Sequence, residues 1–375
     1  MESGRNRTLP PHTDAAAAST RRGAAIYGRR VKVFVDITRF AATATRAQLR
    51  DRVAQLEDVG AAGVSVSDHI FFTSGGRPRA DGVGHGCDPL TTLSAVAGLS
   101  ERLEVQTVVM NAAWVHPGLL LRQFAQLAVL LGGDRVTAGL GAGWSAEEFD
   151  ALGSAMPGFR DRIDRLEEVL RVARGLWTDG HVSYAGEHVV ARELPLSPVP
   201  DRPPRLLVGG GSDRVLELAG RFTDLLDLHG DPKHGRVVGA TMERAAAGDV
   251  ARRANTTVDD LAGRIQLVRD AAQAAGRPRD AVQVATQIWY VAFGSPADVR
   301  AAEEELCSSW AGIPYRPLDR SPYLLFGSPV QMAEALQERR ESYGLERISL
   351  SEQGGIAAAP PDPLRFCREM VPLLG

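Results

Sequence analysis

Cysteine is scarce in this 375-residue chain, and its three copies, Cys87, Cys307 and Cys367, lie far apart. An odd total without a close pair excludes a disulfide framework and zinc-type spacing, and fits a reducing cytoplasm. Charge of one sign is also lacking. A formal net charge of -3 gives no global electrostatic case for nucleic acid as a partner. No uninterrupted apolar run approaches the roughly 18 residues that span a bilayer, so no membrane partner is expected. Histidines, cysteines and carboxylates nowhere cluster at ligand spacing, and no metal is expected. The Gly-x-Ser-x-Gly elbow of a hydrolase is missing. So is the full dinucleotide fingerprint with an acid about 20 residues on, which argues against a Rossmann nicotinamide site.

What the chain does have is an ordinary apolar fraction of 44%, enough for a globular core. The first 30 residues differ from the rest. They mix Pro10, Pro11, an alanine run from Ala15 to Ala18, and six arginines against only Glu2 and Asp14. Arg21-Arg22 raises the idea of a twin-arginine export signal, but no apolar stretch or small-residue cleavage site follows. Residues 1–28 therefore read as a disordered extension, ahead of one domain over 29–375.

From Val31 onward strand and helix patterns alternate. Val31 to Asp36 reads as a strand, and Leu49, Val53, Leu56 and Val59 form a helical face at three- and four-residue spacing. Gly60 and Gly63 bracket the end of that helix. Gly63 to Asp68 is the second strand. Asp88-Pro89 opens a helix, because aspartate caps free amides and proline at the first turn sacrifices no bond. Further strands are read at Leu103 to Met110, Arg135 to Leu140, Arg205 to Val208, Asp224 to Leu228, Val282 to Val291 and Arg347 to Leu350. Helices are read at His116 to Leu131, with Leu120, Phe124 and Leu127 on one stripe, and at about Arg160 to Trp177. Tyr184 to Pro204 is expected to form a loop or hairpin. Two helices and a proline-rich connection, Gly312 to Pro322, make an insertion before the eighth strand, a natural lid. Eight strands, each followed by helical periodicity, point to an α/β fold, a closed (β/α)₈ barrel of the TIM type. An open doubly wound sheet is the alternative.

Chemistry in a parallel barrel belongs at the carboxyl ends of its strands. Those ends carry Asp36, Asp68-His69, Met110-Asn111, Gly141-Ala142-Gly143-Trp144, Gly209-Gly210-Gly211-Ser212, His229 and Ser351-Glu352.

Four segments resemble the luciferase-like superfamily of flavin and deazaflavin oxidoreductases, in order and spacing, over roughly Val31 to Leu350. They are Val66-Ser67-Asp68-His69; Asp88-Pro89-Leu90-Thr91-Thr92-Leu93; Arg135 to Trp144 with Glu148-Phe149 and Leu152-Gly153; and Leu207-Val208-Gly209-Gly210-Gly211. The segment Ser321 to Gly327 is similar to a branch presumed to use the deazaflavin coenzyme F420. The resemblance implies a soluble oxidoreductase with F420, or FMN as the alternative cofactor, acting on a small organic molecule, and a homodimer is the expected assembly.

On that resemblance His69 faces the cofactor ring as the catalytic residue, with a histidine's ordinary pKa near neutrality suiting proton transfer. Asp68 would fix its tautomer. The plainer reading is a structural pair holding the strand-end loop. Gly209, Gly210, Gly211 and Ser212, ahead of a helix, let backbone amides approach a phosphate; a triple glycine alone is more often a tight turn. Asn111, where family members have a backbone bulge, either bonds the ring's pyrimidine edge or satisfies loop backbone. Gly141 and Gly143 are cofactor contacts on the same resemblance. Trp144, Asp36 and His229 are candidates for the substrate cavity, with a packing role for Trp144 close behind. Some sugar-phosphate dehydrogenases of the family carry a glutamate where Trp144 stands, although Glu147 and Glu148 sit one helical turn further along. His116 is expected to cap its helix, and His181, His188 and His234 to be solvated. The expected activity is hydride transfer with F420. An oxygen-using FMN monooxygenase and a silent flavin-binding paralogue stand as alternatives.

Overall fold

Short aliphatic runs form the inner strands in a computed structural model that describes residues 30–71, 85–229, 253–309, 318, 320–350 and 362–375. In chain order the elements begin β1 (Lys32–Asp36), α1 (Thr38–Ala41), α2 (Arg46–Asp58), β2 (Gly63–Val66), α3 (Pro89–Ala97), β3 (Glu104–Thr107) and β4 (Met110–Asn111). Next come α4 (Pro117–Leu131), β5 (Val136–Gly141), α5 (Ala146–Ala151), α6 (Phe159–Asp179), β6 (His181–Ala185) and β7 (Val190–Pro195). They are followed by β8 (Arg205–Gly210), α7 (Asp213–Phe222), β9 (Leu225–Leu228), α8 (Val258–Ala274), β10 (Gln283–Ile288) and β11 (Tyr290–Phe293). The chain ends with α9 (Pro296–Ser309), β12 (Leu324–Gly327), α10 (Pro329–Tyr343), β13 (Leu345–Leu350) and α11 (Pro363–Met370).

Parallel pairing runs β1–β2–β3–β5–β8–β9–β10–β13 and returns to β1. The ring closes, which makes this a (β/α)₈ barrel and removes the open-sheet alternative. Residues 31–375 form one unit; the extension expected over residues 1–28 lies outside the described residues. Among the described residues no helix is long and apolar enough to cross a membrane, and no group of three or more His, Cys, Asp or Glu is placed to hold a metal ion.

Local signals explain the helices. Asp88 accepts the Thr91 amide at 2.7 Å with Pro89 at the first turn, and His116 Nδ1 accepts the Gly118 amide at 3.1 Å, as their positions imply. Gly60, with φ 77°, ends α2 in the conformation that suits glycine. The 21-residue α6 buries Ile163, Leu166, Val169, Leu170, Ala173 and Leu176 on one stripe. Each such leucine contributes about 1.5–3 kcal/mol against remaining in water.

Two strands differ from the sequence expectation. The third is interrupted: β3 ends at Thr107, a cis peptide joins Val108 to Val109, and β4 resumes beside β5. The seventh splits, because the Trp289 amide bonds Tyr323 O at 2.9 Å and draws the chain away. β11 then pairs in parallel with β12, outside the barrel ring. The expected hairpin before the fifth barrel strand is β6–β7, antiparallel. The proline-rich connection at 312–322 falls mostly outside the described residues.

The amino ends of the strands are joined by charge. Glu346 accepts from Arg205 at 2.6 and 2.9 Å and from Arg347 at 2.7 Å. Arg347, 0% exposed, crosses the interior to Gln106 Oε1 at 3.1 Å and Thr137 Oγ1 at 3.2 Å and lies 4.7 Å from the Phe34 ring. Lys32 pairs with Glu104 at 2.5 Å.

Candidate active site

The opposite end of the barrel brings together most of the polar residues read from the strand ends. His69 lies three residues past β2, and its Nδ1 lies 3.2 and 3.1 Å from the two carboxylate oxygens of Glu148. Glu148, on α5 and only 1% exposed, also accepts the Ile70 amide at 2.7 Å. The Trp144 ring meets the His69 ring edge-on, centroids 5.4 Å apart. The His69 side chain keeps 15% of its surface exposed.

Asp68 does not play the part expected of it. Its carboxylate accepts the Asn111 amide at 2.8 Å, and the carboxylate against the imidazole nitrogen is Glu148. The reason is that the Asp68 carboxylate is taken up by the β4 backbone, while α5 delivers Glu148 to the imidazole. Burial pushes the Asp68 pKa up to about 6, against the lowering effects of the Asn111 amide and His69; Glu148 and Asp88 push it up further. Asp36 is buried and bound to Thr38 N at 2.9 Å, Thr38 Oγ1 at 2.6 Å and Ser67 Oγ at 3.3 Å. Burial raises its pKa too, against these hydrogen bonds. Its carboxylate bonds within the strand-end turn.

Asn111 Oδ1 accepts the Ala113 amide at 3.0 Å, the loop-satisfying role weighed for it. Gly143, φ 75°, lies against the Asn111 carboxamide: a β-carbon there would fall 2.6 Å from Asn111 Nδ2. Arg162, from α6, donates to Gly143 O and, at 3.0 Å, to Pro157 O, so a buried guanidinium pins the β5 loop. Gly141 and Gly209 have a packing reason to lack side chains. β-carbons there would sit 2.5 and 2.9 Å from the Val109 methyls, so Val109 lies wedged between the ends of β5 and β8.

Gly210, φ 152°, Gly211 and Ser212 lead into α7, where Ser212 Oγ accepts the Val215 amide at 3.4 Å. Arg264 donates to Gly211 O and bonds Asp213 at 3.1 Å, which anchors this loop to α8. His229 follows β9, diametrically across the ring from β2. It is buried and donates its amide to Gly210 O at 3.1 Å, and its ring lies 6.4 Å from Tyr323. The Tyr323 hydroxyl bonds Leu228 O at 3.2 Å, and the Arg253 guanidinium stacks 4.2 Å from Trp289 and 5.1 Å from Tyr323. Ser351 and Glu352, at the last strand end, and His234 lie outside the described residues.

No local pattern singles out Val109, Arg162, Arg253 or Trp289, and Tyr323 stands out only as part of the Ser321 to Gly327 segment. Each acts through a partner distant in the chain. Glu148 carried a weak signal as one of two adjacent acids opening a helix at a strand end.

The residues suit a flat ring with an anionic tail. A helix amino end follows glycines at the β8 end, and apolar Val109 stands between β5 and β8.

A family model described as luciferase-like monooxygenase matches residues 30–354. The chain is 30% identical over 267 residues to the F420-dependent hydroxymycolic acid dehydrogenase of Mycobacterium tuberculosis, covering 68% of this chain and 69% of that one. It is 29% identical over 177 residues to the F420-dependent glucose-6-phosphate dehydrogenase of Amycolatopsis mediterranei, covering 47% of this chain and 51% of that one. The chain thus spans about half the length of that relative. Among solved structures, an F420-dependent secondary alcohol dehydrogenase in complex with an F420-acetone adduct superposes with a TM-score of 0.67. Its sequence identity is 17%, over 92% of this chain and 99% of that one. The EDTA monooxygenase of Chelativorans sp. BNC1 gives a TM-score of 0.66 at 17% identity, over 92% and 94%. These structural likenesses concern the fold.

Proposed function

Because the chain belongs to the luciferase-like monooxygenase family, we propose that it is an F420-dependent dehydrogenase acting on a carbon that bears a hydroxyl group. The observation that carries this reading is His69. It is a partly exposed imidazole at a barrel strand end, with one nitrogen against a buried carboxylate and its ring bordered by Trp144. The cofactor, when bound, supplies a deazaflavin ring that accepts a hydride from carbon. Gly210, Gly211 and Ser212 with the α7 amino end would hold its anionic tail, and Val109 would support its ring. His69 takes the hydroxyl proton as the carbinol C–H leaves as hydride, so alcohol becomes carbonyl with charge balanced. Trp144 walls the cavity and keeps water from the reacting carbon. His229 supplies the opposite side, with the fully buried Tyr323 packed behind it. The hydroxyl-bearing substrate class is supported by the dehydrogenase named above at 30% identity. Three free cysteines support a cytoplasmic location.

The test is titration of the full chain with F420 and with FMN, then anaerobic assay of secondary alcohols. Expected are F420 binding and oxygen-independent reduction of F420. His69→Asn should lower turnover by about 10²–10⁴-fold and leave F420 affinity within about threefold, about 0.7 kcal/mol. Binding of FMN alone with oxygen-dependent product formation overturns this reading, and near-native turnover of His69→Asn removes His69 from the mechanism.

A further inference from the structure

Glu148 stands where a helix side chain can control the chemistry of a residue 79 positions earlier in the chain. Its two oxygens face Nδ1 of His69 at 3.2 and 3.1 Å, and one of them also takes the Ile70 amide at 2.7 Å. An ionised carboxylate can only accept, so the nitrogen facing it must donate. We infer that Glu148 is a positioning residue that holds His69 in the tautomer with the proton on Nδ1, making Nε2 the proton-accepting nitrogen. This rests on the dehydrogenase reading above for its consequence in turnover, but not for the tautomer itself.

Three observations point the same way. Glu148 is buried, so water cannot substitute for the imidazole as its partner at low cost. The bond to the Ile70 amide fixes the loop that carries His69, so ring and loop are set by one side chain. The Trp144 ring, at 69° to the imidazole, borders the ring on another side and limits its reorientation. A carboxylate that orients a catalytic imidazole through the nitrogen away from the reacting proton is a recurrent device, and replacing it by an amide disturbs the tautomer while sparing the shape.

That contrast supplies the experiment. Glu148→Gln retains a carbonyl oxygen for the Ile70 amide and presents an NH₂ group to Nδ1, which reverses the polarity at the ring. The full chain labelled with ¹⁵N-histidine has eight histidines, and the His69 signals are those lost in His69→Asn. Once the signals show the His69 imidazole to be neutral, the native protein should have a protonated Nδ1 and an unprotonated Nε2. Glu148→Gln should exchange the two and lower kcat by about 10²-fold or more, with KM, melting temperature and cofactor affinity little changed. Glu148→Asp keeps the charge and should recover at least tenfold of the loss, about 1.4 kcal/mol. Three results overturn the proposal: a proton on Nε2 in the native protein, unchanged His69 signals with near-native kcat in Glu148→Gln, or Glu148→Asp no better than Glu148→Gln. If the chain binds no F420 and oxidises no alcohol, the dehydrogenase reading fails, and the nitrogen signals still decide the role of Glu148.

Discussion

The two ends of the barrel treat their carboxylates in opposite ways. At the amino end Glu346 and Glu104 meet guanidinium and ammonium groups: Arg205, Arg347 and Lys32. At the carboxyl end Asp36, Asp68 and Glu148 meet backbone amides, hydroxyls and an imidazole, and among the described residues no arginine or lysine bonds to them. The pKa directions follow. Burial pushes Glu346 up, but the Arg205 hydrogen bond and the Arg347 and Arg205 charges outweigh it and hold the group far below the carboxylate range. Burial of Asp36 and Asp68 is not so opposed, and both are raised. A carboxylate locked by cations is a strut. Asp68, buried among neutral donors, keeps its protonation within reach of ordinary pH, at the end where barrels do chemistry.

The largest effect expected from this contrast is on stability. Arg347→Met removes the charge that crosses the amino end and leaves Gln106, Thr137 and one side of Glu346 without their donor. Breaking a buried pair from one side costs about 3–5 kcal/mol, to be read by urea unfolding. F420 affinity of the folded protein should hold, because the carboxyl end is untouched. A variant that keeps its stability and loses the cofactor would reverse the assignment of the two ends.

A smaller effect separates the ends by pH. Asp68 has a folded pKa of about 6 against an ordinary 3.8. The folded state therefore binds its proton more tightly than the unfolded chain, and the Asp68 contribution to stability falls as pH rises from about 4 to about 6. Asp68→Asn keeps an acceptor for the Asn111 amide and removes the charge. It should be more stable than the native chain by about 1–3 kcal/mol at pH 7, with the difference vanishing near pH 4. Glu346 has the opposite sign: its folded pKa is depressed, so its contribution is present above the ordinary 4.5 and fades as pH falls below it. Glu346→Gln should thus cost stability at pH 7, and the cost should shrink on acidification. Matching slopes for the two variants would break the comparison.

Most of the barrel is legible in the sequence, because its strands are short aliphatic runs and its helices carry their own caps, such as Asp88-Pro89 and His116-Pro117. The departures have a common cause. Trp289 leaves the seventh strand because its amide finds Tyr323 O, and β12 forms only because β11 lies beside it. Neither partner is visible in local periodicity. The site shows the same limit. Adjacency in sequence points to Asp68 as the partner of His69, whereas the Asp68 carboxylate takes the Asn111 amide and a residue from another element, Glu148, faces the imidazole. Residue types at the strand ends were legible; which of them touch was set by the closure of the ring.

The finest test compares two glycines. Gly63 begins β2 at the amino end, where a β-carbon would fall 2.3 Å from the backbone oxygen of Glu104 and 2.5 Å from Phe34. At Gly209, at the carboxyl end, a β-carbon would first meet Val109 side-chain atoms, the nearest at 2.9 Å. Backbone inside a closed ring cannot move aside, whereas a valine methyl can be deleted. Gly63→Ala should therefore be destabilising whatever accompanies it. Gly209→Ala should cost about 1–3 kcal/mol through overpacking, and Val109→Ala in the same chain should recover about 1 kcal/mol of it, the coupling expected of residues in contact. The same pair decides why the glycine is there. If Gly209 makes room for Val109, any loss of F420 affinity caused by Gly209→Ala should shrink when it is measured against Val109→Ala alone. If it makes room for the cofactor's anionic tail, the affinity loss persists with Val109 shortened, and the two stability changes simply add.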